Sequence, residues 1–212
     1  MPFFDQPRPF LSACLNPDTP LTIISLCGLE VGRSNPIEGA LVSLIAYTLR
    51  LNPERDETRQ LREGQPRNDQ SFWRDEVFMI SPHHSQLDTL RRLFAALYPS
   101  PVPPFAQTVD KAQGQEADTL LITYGVSDLD YAQNESSFIY NINRLNVSIT
   151  RARAKAIVCL PEPLLRGSAQ LINDPRSLDG LGYMQYLAKR ARAGTSNTFE
   201  LGGGRSVIVA SV

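Results

Sequence analysis

The stretch that decides the fold runs from Thr108 to Tyr124 and reads Thr-Val-Asp-Lys-Ala-Gln-Gly-Gln-Glu-Ala-Asp-Thr-Leu-Leu-Ile-Thr-Tyr. Its first half is polar, and Gly114 stands there between two side-chain amides. This arrangement is typical of a turn, because glycine adopts backbone geometries that other residues resist. The second half, from Thr119 onward, is apolar and β-branched, as expected of a buried strand. The stretch therefore predicts a polar loop that leads into the core.

Similar apolar runs occur on both sides of this stretch, separated by segments with helical spacing of apolar residues. The predicted strands are 21–26, 77–80, 105–109, 119–124 and 156–160, and the predicted helices are 36–51, one that opens at 81–82, 142–154, and one that contains 181–191. Strands that alternate with helices and are apolar throughout indicate a mostly parallel sheet covered on both faces. The predicted fold class is therefore a three-layer α/β domain.

The rest of the chain is divided by composition. Residues 1–20 are rich in proline and are predicted to form an extended lead-in or linker, whereas 21–165 form the main domain. Within that domain the polar segment 52–75 is predicted to be a surface insertion. Residues 166–212 are predicted to hold a C-terminal helix and a tail, in which Ser206–Ala210 is a candidate edge strand.

Bulk composition excludes several classes of protein. A net charge of -1 gives no overall attraction to nucleic acid, so any such contact needs a local patch. No apolar run approaches the length of about 18 residues that spans a bilayer, and the first residues lack a signal-peptide pattern. We therefore expect no membrane contact and a location in the cytosol, or the nucleus of a eukaryote. Three widely spaced cysteines predict neither disulfides nor a metal site.

A second polar cluster reads Asn143-Arg-Leu-Asn-Val-Ser-Ile-Thr-Arg-Ala-Arg153. On a helix, one face would be a buried stripe and another face would be basic. The buried stripe would consist of Ile142, Leu145, Ile149, Ala152 and Ala156, and the basic face of Arg144, Ser148, Arg151 and Lys155. Such a basic face is either simply solvated or binds an anion, and the residues alone leave both interpretations open.

Thr108–Glu116 resembles motif V, and Arg144–Arg153 resembles motif VI, of superfamily 1 helicases. The likeness is greatest to the branch that includes nonsense-mediated-decay and Okazaki-fragment-processing helicases. Ser34-Asn35 with Glu38 and the segment 77–86 agree in order, so the resemblance covers about residues 21–161. It implies a RecA-like domain of the P-loop NTPase type, the second of a two-domain motor. ATP and Mg²⁺ would then bind between the two domains, in the complete two-domain enzyme only.

The resemblance also implies roles for individual residues. Arg151 would be the arginine finger that stabilises charge on the transferring phosphoryl group. The other nucleotide-binding residues would be Glu116, Gln113, Gly114 and Arg144, and the nucleic-acid contacts would be Thr108, Thr150 and His83. Arg144 would support the phosphates or pair with Glu116. From the residues alone, Glu38 is more simply interpreted as the capping-box partner of the helix that starts at 36.

The sequence contains no Gly-x-x-x-x-Gly-Lys-Ser/Thr phosphate-binding loop, so we expect the isolated chain not to hydrolyse ATP. The favoured interpretation is the C-terminal half of an ATP-dependent DNA or RNA helicase or translocase. Its expected partners are single-stranded or duplex nucleic acid and an N-terminal RecA-like domain of the same polypeptide. The alternative is a non-catalytic module, derived from a helicase, that binds nucleic acid or protein.

Overall fold

The computed structural model describes residues 6–54, 57, 67–168, 171 and 173–212. A seven-stranded sheet has the spatial order β3-β2-β4-β5-β1-β7-β6. Its strands are β1 (Leu21–Cys27), β2 (Val77–Ile80), β3 (Ala106–Gln107), β4 (Ala117–Thr123), β5 (Ala152–Cys159), β6 (Thr195–Gly202) and β7 (Arg205–Ser211). Strands β1 to β5 pair in parallel, and β7 and β6 extend the sheet in the antiparallel sense. The predicted mostly parallel α/β sheet is confirmed.

Helices connect and cover these strands. They are α1 (Pro7–Cys14), α2 (Pro36–Leu51), α3 (Asp69–Ser71), α4 (His84–Leu97), α5 (Leu129–Asn134), α6 (Ser136–Ile139), α7 (Ile142–Thr150) and α8 (Pro175–Ala193), with a π-helical turn at Phe72–Glu76 and a 3-10 turn at Glu162–Leu165. Helix α2 has the predicted bounds. Its start is fixed locally, because the Asn35 side chain accepts hydrogen bonds from the amides of Ile37 and Glu38, and Pro36 occupies the first helical position.

The sheet separates two apolar cores. Side chains alternate along a strand, so Leu121 packs in one core while its neighbours Leu120 and Ile122 pack in the other. Helices α2 and α4 cover the first face, and α7 and α8 cover the second. The three-layer arrangement is thus confirmed. Within the described ranges, no helix combines the length and apolar character that crossing a bilayer requires.

The predicted extended lead-in over residues 1–20 is wrong for residues 7–14. Residues 7–14 form helix α1, and Phe10 and Cys14 are fully buried in the first core. Phe10 meets Phe199 of β6 edge to face, with ring centroids 5.9 Å apart. The prolines misled the prediction because proline is tolerated in the first turn of a helix. Residues 1–5 lie outside the described part of the chain.

The predicted surface insertion over 52–75 is wrong at its C-terminal end. Phe72 and Trp73 are buried in the first core, and Arg67 is buried as well. The Arg67 guanidinium pairs with Glu76 at 2.8 Å and donates to the carbonyl oxygen of Leu49 at 2.6 Å, which ties this segment to the end of α2. Residues 55–56 and 58–66 of the predicted insertion lie outside the described residues.

The helix predicted over 142–154 ends earlier, at Thr150, and β5 begins at Ala152. The predicted stripe is therefore wrong beyond Ile149, and Ile142 at its start is 37% exposed. Lys155 does not belong to the basic face, because it lies on β5 and its ammonium group donates to the carbonyl oxygens of Asn16 and Thr19. The cause is pairing with β4, since a tertiary ladder overrides local helical spacing.

The C-terminal region contains helix α8, and the segment after it is not a tail. Strand β7 pairs with β1 along its length, and β6 forms the edge of the sheet beyond it. The candidate edge strand at 206–210 thus lies inside the sheet. Gly203 and Gly204, both with positive φ, make the tight turn between the two strands. The chain beyond residue 165 is therefore continuous with the main domain rather than separate from it.

Candidate functional site

Arg151 and Glu116 lie at the same edge of the sheet, here the edge formed by the amino ends of its parallel strands. Each immediately precedes one of two neighbouring parallel strands, β5 and β4, whose first residues Ala152 and Ala117 are register partners. The Ala117 amide donates a hydrogen bond of 3.2 Å to the Arg151 carbonyl oxygen. Glu116 is exposed and Arg151 is half-buried, so both side chains are accessible at the amino ends of these strands.

The Arg151 guanidinium has an unsatisfied donor. Arg151 caps the C-terminus of α7 and lines a cavity of about 10 Å³ with Val109, Ala112 and Ser148. Its Nε is shielded from solvent and has no hydrogen-bond partner among the described residues. A buried donor without a partner costs free energy, and an anionic oxygen is the strongest acceptor that could satisfy it. The small cavity has room for about one water, so an anionic oxygen would reach this donor only after the Arg151 side chain turned outward.

The polar loop between β3 and β4 carries Gln113 and Gly114, and both are exposed. Gly114 has φ +83°, and nothing lies within 4 Å of the position that a Cβ would occupy. Glycine is needed here for the backbone conformation and not for space. The loop starts at the carboxyl end of β3 and finishes at the amino end of β4, so it crosses the sheet beside α7.

Arg144 lies near the opposite end of α7 from Arg151. They are seven positions apart, about 10 Å along the helix axis, which places both on one face. The Arg144 guanidinium lies 4.4 Å from the centroid of the Phe138 ring and pairs with Asp110 at 3.4 Å. Its acidic partner among the described residues is thus Asp110 of the polar loop, and the structure does not bring Arg144 together with Glu116.

A larger cavity of about 320 Å³ lies between the polar loop and α7, where β2 and β4 end. Its lining comprises Ile80, Pro82, His84, Thr108, Val109, Asp110, Ile122, Tyr124, Phe138, Ile139, Arg144, Leu145 and Ser148. Its floor is apolar, and the polar groups of the lining come from the polar loop, α4 and α7. Thr108 and Arg144 of the predicted set meet here, whereas Arg151 lines the smaller cavity, with Ser148 shared by both.

His83 and Thr150 are placed differently from Thr108. His83 caps α4, and its ring packs against Tyr131 and Phe138 with centroids 5.9 and 5.6 Å away. Burial lowers the pKa of His83, which favours the neutral form of the ring. Thr150 is exposed beside Arg151, and its hydroxyl donates to the Asn146 carbonyl oxygen at 2.9 Å. Neither residue lines the larger cavity with Thr108.

Glu38 is not the predicted capping-box partner. It is fully buried, and its carboxylate accepts hydrogen bonds from the Thr123 hydroxyl and from the Gly125 amide, the latter at 3.0 Å. The Asn35 amide, which a capping-box partner would bind, donates instead to Oε1 of Gln86 at 2.8 Å. Burial raises the pKa of Glu38 to about 7. These contacts join α2 and α4 to the carboxyl end of β4.

Several residues of the site were missed by the sequence analysis. His84, and not His83, lines the larger cavity, and Phe138 supports Arg144. Asp110 was not assigned a role, although its position within the motif could have suggested a partner for an arginine. Phe138 gave no such signal, because a lone aromatic residue in a mixed segment is more often part of a core.

Comparison with known proteins gives the family. A family model described as an AAA domain matches residues 46–160, which is more than half of the chain. Helicase sen1 of Schizosaccharomyces pombe is 37% identical over 84 residues, covering 39% of this chain and 5% of the relative. The DNA replication ATP-dependent helicase/nuclease DNA2 of Gallus gallus is 32% identical over 88 residues, covering 41% of this chain and 8% of the relative.

A third relative is the replicase polyprotein 1ab of bat coronavirus HKU9, which is 36% identical over 89 residues, 42% of this chain and 1% of the polyprotein. The alignments thus span less than a tenth of the length of each of these relatives. They nevertheless include named helicases of the kind that the two motifs resemble. The resemblance is thereby confirmed, and the chain belongs to the AAA domain family.

Proposed function

We propose that this chain is the C-terminal half of an ATP-dependent DNA or RNA helicase or translocase. In this proposal it supplies an arginine finger and nucleic-acid contacts to a motor whose other half is an N-terminal RecA-like domain of the same polypeptide. ATP and Mg²⁺ would bind between the halves. The phosphate-binding loop and the Mg²⁺ ligands are assigned to the other half, so the isolated chain should not hydrolyse ATP.

The observation that carries the proposal is the position of Arg151 beside Glu116 at one accessible edge of the sheet. The half-buried guanidinium of Arg151 suits phosphate oxygens, and the exposed carboxylate of Glu116 suits a ribose hydroxyl. ATP supplies the phosphoryl group that is transferred to water. Arg151 would stabilise the negative charge that builds up on that group, an effect worth roughly 10³ to 10⁵ in rate.

Nucleic acid would contact the opposite edge, where Thr108 and Arg144 meet at the larger cavity. A hydroxyl and a guanidinium contact phosphates without reading sequence, which suits an enzyme that moves along a strand. Among the residues expected to contact nucleic acid, Thr108 is the best supported by geometry. Arg144 is better suited to a contact with nucleic acid than to one with the nucleotide. Its partner Asp110 lies before the turn at Gly114, beside Thr108 at the larger cavity.

The two ends are joined by two continuous elements. The polar loop carries Thr108 at one edge and Glu116 at the other. Helix α7 with its C-cap likewise carries Arg144 at the first edge and Arg151 at the second. A displacement of the polar loop or of α7 as a unit would therefore move residues at both edges. This connection supports a role in coupling ATP turnover to strand movement.

The test is the substitution Arg151→Ala in a polypeptide that contains both motor halves. We expect ATP turnover to fall by about 10³ or more while affinity for single strands changes little. The matched control is Arg153→Ala, because Arg153 is exposed and pairs with Asp118 at 2.9 Å, away from the small cavity. Unchanged turnover in the Arg151→Ala enzyme, or an equal loss in the Arg153→Ala control, would contradict the proposal.

A further inference from the structure

The larger cavity lies beside Thr108, the residue proposed to contact the nucleic-acid backbone. Its volume of about 320 Å³ lies at the lower end of the range of small-ligand sites. The floor consists of aliphatic side chains from β2, β4 and α7, among them Ile80, Ile122 and Leu145. Thr108 and Arg144 add a hydroxyl and a guanidinium to the lining. An apolar slot with donors for a phosphate is complementary to a nucleotide whose base points inward.

The lining also offers a stacking surface. The Arg144 guanidinium lies over Phe138, and Phe138 in turn packs against His83, which packs against Tyr131. The Arg144 guanidinium thus rests over an aromatic ring while its side chain remains 34% exposed. Unpaired bases stack on guanidinium planes as well as on aromatic rings.

The ion pair at the cavity is weak enough to rearrange. Arg144 and Asp110 are 34% and 69% exposed and 3.4 Å apart. Exposed pairs of this kind contribute little to stability. Arg144 can therefore exchange Asp110 for a strand phosphate at small cost.

We propose that this cavity takes up one unpaired base of the bound strand, stacked on Arg144, while the backbone of that strand passes Thr108. The proposal rests on the proposed contact between this edge and nucleic acid. A base captured in this way would give the domain a fixed grip on one nucleotide. It would also favour single strands over duplex, since a paired base is not free to enter.

The experiment compares strands that share a backbone but differ in bases, using the 212-residue chain at low ionic strength. One single strand, about eight nucleotides long, is abasic throughout. The second single strand has the same length and carries one 2-aminopurine base. We expect the single base to raise affinity on the order of 10-fold and its fluorescence to be quenched on binding. In the Phe138→Leu variant this increment should disappear while affinity for the abasic strand persists. Tyr186→Leu, at an exposed aromatic residue of α8, is the matched control and should retain the increment.

Each other result has a definite meaning. Equal affinity for the abasic and one-base strands overturns the base cavity while leaving the proposed strand contact in place. Failure of every strand to bind overturns both. Adenosine monophosphate is the remaining probe, and we expect it to bind far more weakly than the one-base strand because it lacks the adjoining backbone. Equal binding of the free nucleotide would make the cavity a mononucleotide site and would overturn the proposal.

Discussion

The amide of Ala117 donates a 3.2 Å hydrogen bond to the carbonyl oxygen of Arg151. This bond joins the first residue of one parallel strand to the last residue before its neighbour. It fixes where α7 ends, and with that the height at which the Arg151 side chain leaves the sheet. Because Glu116 is the residue before Ala117, the same bond sets the spacing of the two backbones that carry the proposed nucleotide contacts.

Buried Glu38 should make stability depend on pH. Its pKa rises from 4.5 to about 7 on folding, so the folded state holds this proton more tightly than the unfolded state. The resulting stabilisation is fully present below pH 4.5 and is lost as pH rises through about 7, an effect of about 3 kcal/mol. Urea unfolding at pH 5 and pH 8 measures it. The Glu38→Gln variant should lose this dependence, and an identical pH profile in both proteins would contradict the assignment.

Gly125 should tolerate alanine much less well than Gly114. Both have positive φ, which costs an alanine about 1 to 2 kcal/mol. At Gly125 the new Cβ would also lie 2.6 Å from Cδ of buried Gln86, whereas at Gly114 it meets nothing within 4 Å. We expect a loss of roughly 3 kcal/mol or more for Gly125→Ala and about 1 kcal/mol for Gly114→Ala in chemical denaturation. Equal losses would mean that the packing around Gln86 is not as described.

Helix α1 should contribute to stability as a core element. Phe10→Ala removes a fully buried ring that packs on Phe199 and should cost about 3 to 5 kcal/mol of unfolding free energy. Ser12→Ala, at an exposed position of the same helix, should change stability by less than about 0.5 kcal/mol. If Phe10→Ala were as mild as the control, residues 7–14 would be the dispensable lead-in that their prolines suggest.

Asp110 should restrain strand binding. Its carboxylate pairs with Arg144 and adds negative charge beside the larger cavity, so Asp110→Asn should strengthen binding of single strands several-fold at low salt. Fluorescence anisotropy over a range of salt concentrations measures both the affinity and its salt dependence. Asp118→Asn, which removes the acidic partner of Arg153 at the other edge, is the control and should have a smaller effect. Weaker binding by Asp110→Asn would show that this carboxylate assists the contact.

The sequence predicts those parts of the fold that are determined by neighbours along the chain. Helix α2 has its predicted bounds because Asn35 and Pro36 mark its start within two residues. Strand β2 likewise has its predicted bounds because Val77–Ile80 is a compact apolar run. The class of the fold follows from such local signals, since alternating strands and helices leave few architectures open.

The errors arise where distant residues decide. Phe10 is buried because β6 supplies Phe199, and no pattern near residue 10 indicates that strand. The end of α7 is set by pairing between Ala152 and Ala117, although alanine spacing alone fits a longer helix. In the site, the two motifs indicated Arg151 and Glu116, and these residues lie at one edge of the sheet. The partner of Arg144 depends on a contact with Asp110, 34 residues earlier, that no spacing reveals.

The central claim is that Arg151 acts on the transferring phosphoryl group. Its most direct test is the affinity of the two-domain enzyme for ADP with aluminium fluoride, which mimics that group, compared with ADP alone. In the Arg151→Ala enzyme, affinity for the mimic should fall at least about 100-fold while affinity for ADP stays within about 2-fold. Equal affinities for the mimic in the two enzymes, or a parallel loss for ADP, would contradict the account.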